Sequence, residues 1–314
     1  MTLNRGHVYR ERVRNSSRPI TVVDYLARRF LHTSRGEWEK RIRRGDVRLD
    51  DDRVDPDARL EPGRMLTWHR PPWQEPDAPC SFEIVHEDRD LLAVAKPPGL
   101  PTLPGGGFLE NTLLALVRRR DPGAVPVHRL GRWTSGLVLF ARTPLARERI
   151  AAAWRRHEVR KVYRTLARGT PDRDDFIVDV PIGPRPYPPL GTLHAVAPDG
   201  KPSRTRVIVT ERREEEFLAD VIPETGRPHQ IRIHLAACGH PLVGDPLYGQ
   251  GGVPAPGTRA LPGDPGYLLH AGELSFLHPR SGVACTFRCE PPPRPAPRDS
   301  RHGAARRRHE RTSR

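Results

Sequence analysis

Val127–Arg142 reads "VHRLGRWTSGLVLFAR". Its second half, Leu137, Val138, Leu139 and Phe140, is an apolar run of strand length. Its first half is a loop bearing His128, Arg129, Arg132, Thr134 and Ser135, punctuated by Gly131 and Gly136. A polar, basic loop mounted on a buried strand is a common place for chemistry, because a rigid scaffold fixes exposed side chains. This loop holds no carboxylate and no cysteine. Outward from it, strand-type runs recur: "SFEIVHED", "LLAVAK", "VYRTLAR", "SRTRVIVTE", "FLADVIP" and "HQIRIHL". Helix-type runs are fewer, "ENTLLALVRRR" and "LARERIAAAWRRHEV". Strands outnumber helices and do not alternate with them. The pattern predicts an α+β domain over 81–291, built on a mainly antiparallel mixed sheet.

The N-terminal part is organised differently. Residues 1–18 are polar and arginine-rich and read as a mobile basic arm. Thr21 is placed to cap a helix, with Asp24 three residues on and Val23, Leu26, Ala27 and Phe30 at helical spacing. Ser34 is placed to cap a second, with Glu37 at the capping-box position, Trp38 and Ile42 as its apolar stripe and Gly45 as its stop. The opposite face carries Lys40, Arg41, Arg43 and Arg44. The strand-like pieces "DVRLDD" and "RMLTW" follow, so 19–70 reads as a small α/β module. Proline-rich 71–80 reads as a linker, and 292–314, with eight arginines and a net charge of +6, as a disordered basic tail.

The chain has 314 residues, with Lys+Arg 53 against Asp+Glu 38 and a net charge of +15. The four lysines beside so many arginines reflect codon usage. Codon usage does not explain the sign, since acids were free to balance it, and a polyanionic partner, RNA or DNA, is implied. Cys80, Cys238, Cys285 and Cys289 show no paired metal spacing. With no apolar leader and no long apolar run, the expectation is a cytoplasmic protein that does not cross a membrane.

The most informative segment is "ETGRPHQIRIHLAACGHPLVGDPLYG", Glu224–Gly249. "HQIRIH" alternates as a strand would, with Gln230, Arg232 and His234 on one face and Ile231, Ile233 and Leu235 on the other. One face then packs on the core and the other offers a fixed guanidinium to a cleft. His229, His234, Cys238 and His240 raise zinc, but ligands from opposite strand faces do not gather into one tetrahedral site, so no metal is expected.

This segment, together with "LLAVAKPPGLPTLPGG", "VHRLGRWTSGLVLFAR", "KVYRTLARG" and "LLHAGELSFLHPRSG", resembles the RluA-type RNA pseudouridine synthases, and the helices and small sheet of 19–70 resemble an S4-type RNA-binding module. The resemblance runs from Arg18 to Pro291. It implies isomerisation of uridine in ribosomal or transfer RNA, with the base flipped out of its stack and no metal or organic cofactor. It implies that Tyr163 stacks on the flipped base, that Arg232 pairs with a catalytic carboxylate, and that Arg129 enters the gap left in the RNA. Further RNA contacts are expected from His128, Arg132, Arg227 and His229, and from Lys40, Arg41, Arg43 and Arg44. The sequence departs from the family at one place: the pattern His-Arg-Leu-Asp ends here in Gly131. An active enzyme then needs an acid from elsewhere, with Glu224 the nearest candidate and Asp245 read as a turn residue. The alternative is an RNA-binding protein that has lost catalysis.

Overall fold

A computed structural model describes residues 2–13, 19–30 and 33–292. In chain order its elements are β1 (Thr2–Leu3), β2 (His7–Arg12), α1 (Val22–Arg29), α2 (Arg35–Arg44), β3 (Val47–Leu49), β4 (Asp52–Arg53), β5 (Met65–Arg70) and β6 (Gln74–Glu75). There follow β7 (Glu83–Glu87), β8 (Leu91–Lys96), α3 (Leu113–Arg120), β9 (Val125–Pro126), β10 (Ser135–Ala141), α4 (Pro144–Arg155) and β11 (Arg160–Arg168). The chain continues through β12 (Asp175–Asp179), β13 (Ile182–Tyr187), β14 (Gly191–Val196), β15 (Arg204–Arg212), β16 (Glu216–Pro223), α5 (Gln230–Ala237), β17 (Leu269–Leu277) and β18 (Ala284–Arg288).

The caps fall where the sequence puts them. Thr21 Oγ1 accepts from Asp24 N and Ser34 Oγ from Glu37 N, both at 3.2 Å. Gly45 ends α2 in the left-handed conformation that glycine adopts without Cβ strain. Trp38 and Ile42 are buried with Val22, Val23, Leu26 and Trp68 in a core of their own.

The basic arm is a correction. β2 is the edge strand of the sheet β2-β5-β3-β4, pairing with β5 from His7↔Arg70 to Arg12↔Met65. β1 pairs with β6, so the proline-rich linker is tied down as well. The Glu75 carboxylate, 1% exposed, accepts from Asn4 Nδ2, Glu110 N and Asn111 N. Burial alone pushes such a carboxyl up, but these donors outweigh it and hold Glu75 below its ordinary range. A short polar strand carries no hydrophobic signal of its own, which is why neither pairing shows in composition. The tail expected at 292–314 lies, past Pro292, outside the described residues, as do 14–18 of the arm.

The main sheet runs β12-β15-β16-β11-β17-β10-β8-β7, with β18 on β17 and β9 on β10. Its pairs are antiparallel except β10–β17. β10 is buried on both faces, which explains its unbroken apolar run. Leu137 and Leu139 pack with Ala146 and Ile150 of α4, whereas Val138 and Phe140 pack with Leu113 and Val117 of α3. Gly136 sits at φ +108 where β10 meets β17, and a Cβ there would stand 2.3 Å from Ala271 O. Only glycine permits that approach, and it leaves the loop 127–134 opening directly off the sheet.

Candidate active site

Loop 127–134 forms one wall of a cavity of about 660 Å³. The opposite walls come from Tyr163 on β11, from 225–232, and from Pro262, Gly263, Tyr267 and Leu269. Tyr163 follows a register shift between Val162 and Tyr163 in the β11–β17 ladder, the kind of irregularity that re-aims a side chain. Of the residues expected at the site, His128, Arg129, Gly131, Arg132, Tyr163, Arg227, His229 and Arg232 all line this one cavity. Lys40, Arg41, Arg43 and Arg44 stand apart on α2. There Arg41 pairs with Glu37 and covers Trp38 and Trp68, Arg44 pairs with Asp46, and Lys40 and Arg43 are exposed.

The strand expected at "HQIRIHL" is a helix, α5, and this is a correction. His229 takes a left-handed turn that starts it. The helix lies between two apolar clusters, with Ile231 and Leu235 against Val207, Phe217 and Val221, and Ile233 and Ala236 against Ile182, Tyr187 and Leu193. A helix buried all round has no polar face, so its sequence can mimic strand alternation. The strand-face argument against zinc falls with it. The three histidines nevertheless point to separate partners: His229 Nδ1 to Tyr248 Oη, His234 Nε2 to Val180 O and His240 Nδ1 to Arg168 O. No group of three ligating side chains comes together among the described residues.

Arg232 is 2% exposed and lies between two tyrosines, its guanidinium carbon 4.0 Å from the Tyr267 ring centroid and 5.0 Å from that of Tyr248. Its Nε and one Nη donate to the two oxygens of Asp245 at 2.7 and 2.8 Å, and the other Nη donates to Pro262 O at 3.0 Å. Asp245 also accepts from Leu247 N and Tyr248 N. It is both the turn residue expected and the partner of Arg232. Burial by itself disfavours the guanidinium, but Asp245 outweighs it and raises the affinity of Arg232 for its proton. The carboxylate that pairs with Arg232 is thus Asp245, which is not among the residues lining the cavity.

Glu224 does not line the cavity. It is half exposed and faces Arg204 Nε at 3.3 Å, so its place as nearest acid is also corrected. No Asp or Glu lines the cavity among the described residues. Gly131 does not occupy the left-handed region, and a Cβ there would meet Tyr267 Oη at 3.1 Å and Thr134 Oγ1 at 3.4 Å. Tyr163 Oη donates to no partner among the described residues, and burial pushes its phenol up to about 12. The histidines on the wall are neutral. Burial takes His128 and His229 down to about 3. His128 Nε2 accepts from Leu139 N while its ring stacks on Trp154 at 4.6 Å.

Two fixing devices were not read from the sequence. Gln230 ties the turn before α5, accepting from Thr225 Oγ1 and Arg227 N and donating to Arg204 O and Thr205 Oγ1. Lys96, 1% exposed, donates to Pro97 O, Leu100 O and Arg132 O at 2.8–3.0 Å, joining 97–100 to the Gly131 loop. Tyr267, Trp154 and Lys161 also line the cavity without having been singled out. Their signal was only an aromatic or a lysine near a glycine-rich or strand segment.

Residues 90–237 match the family model described as RNA pseudouridylate synthase. The chain is 42% identical to an uncharacterized RNA pseudouridine synthase of Synechocystis over 87% of its length and 94% of the relative's. It is 37% identical to RNA pseudouridine synthase 5 of Arabidopsis thaliana over 87% and 89%. It is 33% identical to the ribosomal large subunit pseudouridine synthase D of Neisseria meningitidis serogroup B over 88% and 76%. The structure is similar to that of human RNA pseudouridylate synthase domain containing 1, with a TM-score of 0.55 and 26% identity over 70% of this chain and 87% of that one.

Proposed function

The chain belongs to the RNA pseudouridylate synthase family, a family of isomerases, and from that premise we propose that it converts uridine to pseudouridine in ribosomal RNA at the cavity under loop 127–134. The observation that carries this reading is convergence. Gly131, Tyr163 and Arg232 are far apart in sequence, yet they line one space of a size that admits a nucleotide. The name of the Neisseria relative favours ribosomal RNA over transfer RNA.

The reaction breaks the C1′–N1 bond, turns the uracil, and joins C5 to C1′. C5 gives up a proton and N1 gains one, so nothing is added or lost. Tyr163 keeps its proton at neutral pH, because its phenol titrates near 12, and its ring offers a stacking surface for an extruded base. Arg232, locked by Asp245, holds the wall of the cavity in place rather than meeting an acid at 131. The acid that the chemistry requires we assign to Asp264. It adjoins Pro262 and Gly263, which line the cavity, and the loop is anchored there by Arg232 on Pro262 O. Burial lowers the affinity of Arg132, another residue of the wall, for its proton, and the Asp264 charge opposes that shift. To reach the cavity the Asp264 carboxylate releases Leu261 N, which it now accepts from at 2.8 Å.

One observation favours a second reading, an RNA-binding protein without chemistry: Gly131 stands where the resemblance expects the acid, and no carboxylate lines the cavity among the described residues. RNA labelled with tritium at uracil C5 separates the two, because only isomerisation releases that label. Wild type and Glu224→Gln release tritium, and Asp264→Asn does not. Full release by Asp264→Asn removes Asp264 from the chemistry.

A further inference from the structure

A band of aromatic rings and guanidinium groups runs from the N-terminal sheet to the cavity, where Arg132 belongs to the wall. It begins on the edge strand β2. Tyr9 is stacked on Trp68 with centroids 5.0 Å apart and planes 17° apart, yet remains 38% exposed. His7 meets Tyr9 edge to face at 4.6 Å and is itself exposed. His7↔Arg70 and Tyr9↔Trp68 are cross-strand partners, which places all four side chains on one face. Arg70 then lies over Trp68 at 5.8 Å and over Trp73 at 3.4 Å.

Beyond Trp73 the band reaches the main domain. Trp73 Nε1 donates to Gly107 O at 2.7 Å. Gly105 and Gly106, next to it, have open space where a Cβ would stand, so this saddle carries no side chain. On its far side Arg132 covers Phe108 at 4.6 Å and lines the cavity. Glu110, the acid beside the saddle, is engaged by Arg5 N at 3.1 Å.

We propose that this band is a track for an unpaired RNA strand running from the nucleotide in the cavity to the N-terminal sheet. Bases stack on Tyr9 and Trp73, and phosphates meet Arg70 and Arg132. Aromatic faces interleaved with cations suit a single strand of any sequence, since every base has a π-face and every linkage a charge. A folded protein partner is disfavoured, because the open glycine saddle offers it neither side-chain contact nor apolar area. The track rests on the reading of the cavity as an RNA site.

The test compares binding of oligouridines of about 5 and about 15 nucleotides, the shorter filling the cavity and the longer extending past it. Wild type binds the longer strand tighter, by about five- to a hundred-fold for one stacked base. Tyr9→Ala and Arg70→Gln each lose that gain and keep wild-type affinity for the short strand, whereas Tyr9→Phe keeps both. Thermal unfolding of each variant distinguishes a lost contact from a lost module, and Arg70→Gln carries the test if Tyr9→Ala unfolds. Equal affinity of wild type for the two strands, or a gain retained in both Tyr9→Ala and Arg70→Gln, overturns the track while leaving the cavity reading in place. Failure of wild type to bind either strand overturns both.

Discussion

Arg232 has exchanged water for two tyrosine rings and the carboxylate of Asp245, an acid that at the same time holds its own turn through Leu247 N and Tyr248 N. Neither side chain is more than 2% exposed, and each carries the other's charge. Removing one partner leaves a buried charge unpaired, which costs about 3–5 kcal/mol. Asp245→Asn is therefore expected to lower urea-unfolding stability by that amount, and Arg232→Met with Asp245→Leu to recover most of it. A loss below about 1 kcal/mol for Asp245→Asn contradicts the pairing. Arg232 and Tyr163 were legible through the family resemblance alone, since the strand alternation that also singled out Arg232 gives way to helix α5. The sequence hid the partnership, because Asp245 in "GDP" has the signature of a turn and does serve as one through Leu247 N and Tyr248 N. At 131 the missing Cβ is also a local matter. Ordinary backbone and a neighbour at 3.1 Å mean that a small shift of Tyr267 makes room for a larger residue.

At the scale of elements, strand β8 delivers Lys96 beneath the Gly131 loop, where three carbonyls match the three N–H donors of an ammonium. Burial, aided by Arg132, lowers its pKa to about 7. Below that value the lysine is protonated both folded and unfolded. Between about 7 and the ordinary 10.5 the unfolded chain holds a proton that the folded chain has released, so stability contributed at this site rises with pH. Wild type measured against Lys96→Met by urea unfolding should gain stability between pH 6.5 and 9.5, over and above the roughly 1–3 kcal/mol that the variant loses through unpaired carbonyls. A difference that stays flat with pH means that the ammonium is retained. Elements with a clean periodic signature, α2, α4, β8 and β10, were legible from the sequence. Helix α5 was not, because burial between two clusters removes the polar face that marks a helix, and "HQIRIHL" alternates by coincidence of its partners.

Across the whole molecule, strand counting predicted a mainly antiparallel mixed sheet, and the sheet has that form with one parallel pair, β10–β17. The edge strand β2 and the tie through Glu75 escaped, since their hydrogen bonds leave no hydrophobic trace. The long-range convergence of the site escaped too, except by resemblance, because loops 127–134, 225–232 and 262–267 meet only once the sheet has formed. What the convergence yields, in a chain of the RNA pseudouridylate synthase family, is a cavity with Gly131 on its wall and no carboxylate among its described lining residues, and this cavity is expected to isomerise uridine all the same. The direct measurement is tritium release from C5-labelled uridine in ribosomal RNA, run side by side for wild type and Gly131→Asp. Wild type is expected to release tritium at a rate that does not depend on an acid at 131. No release by wild type, with robust release by Gly131→Asp, contradicts it and makes the natural protein a binder built on an enzyme's frame.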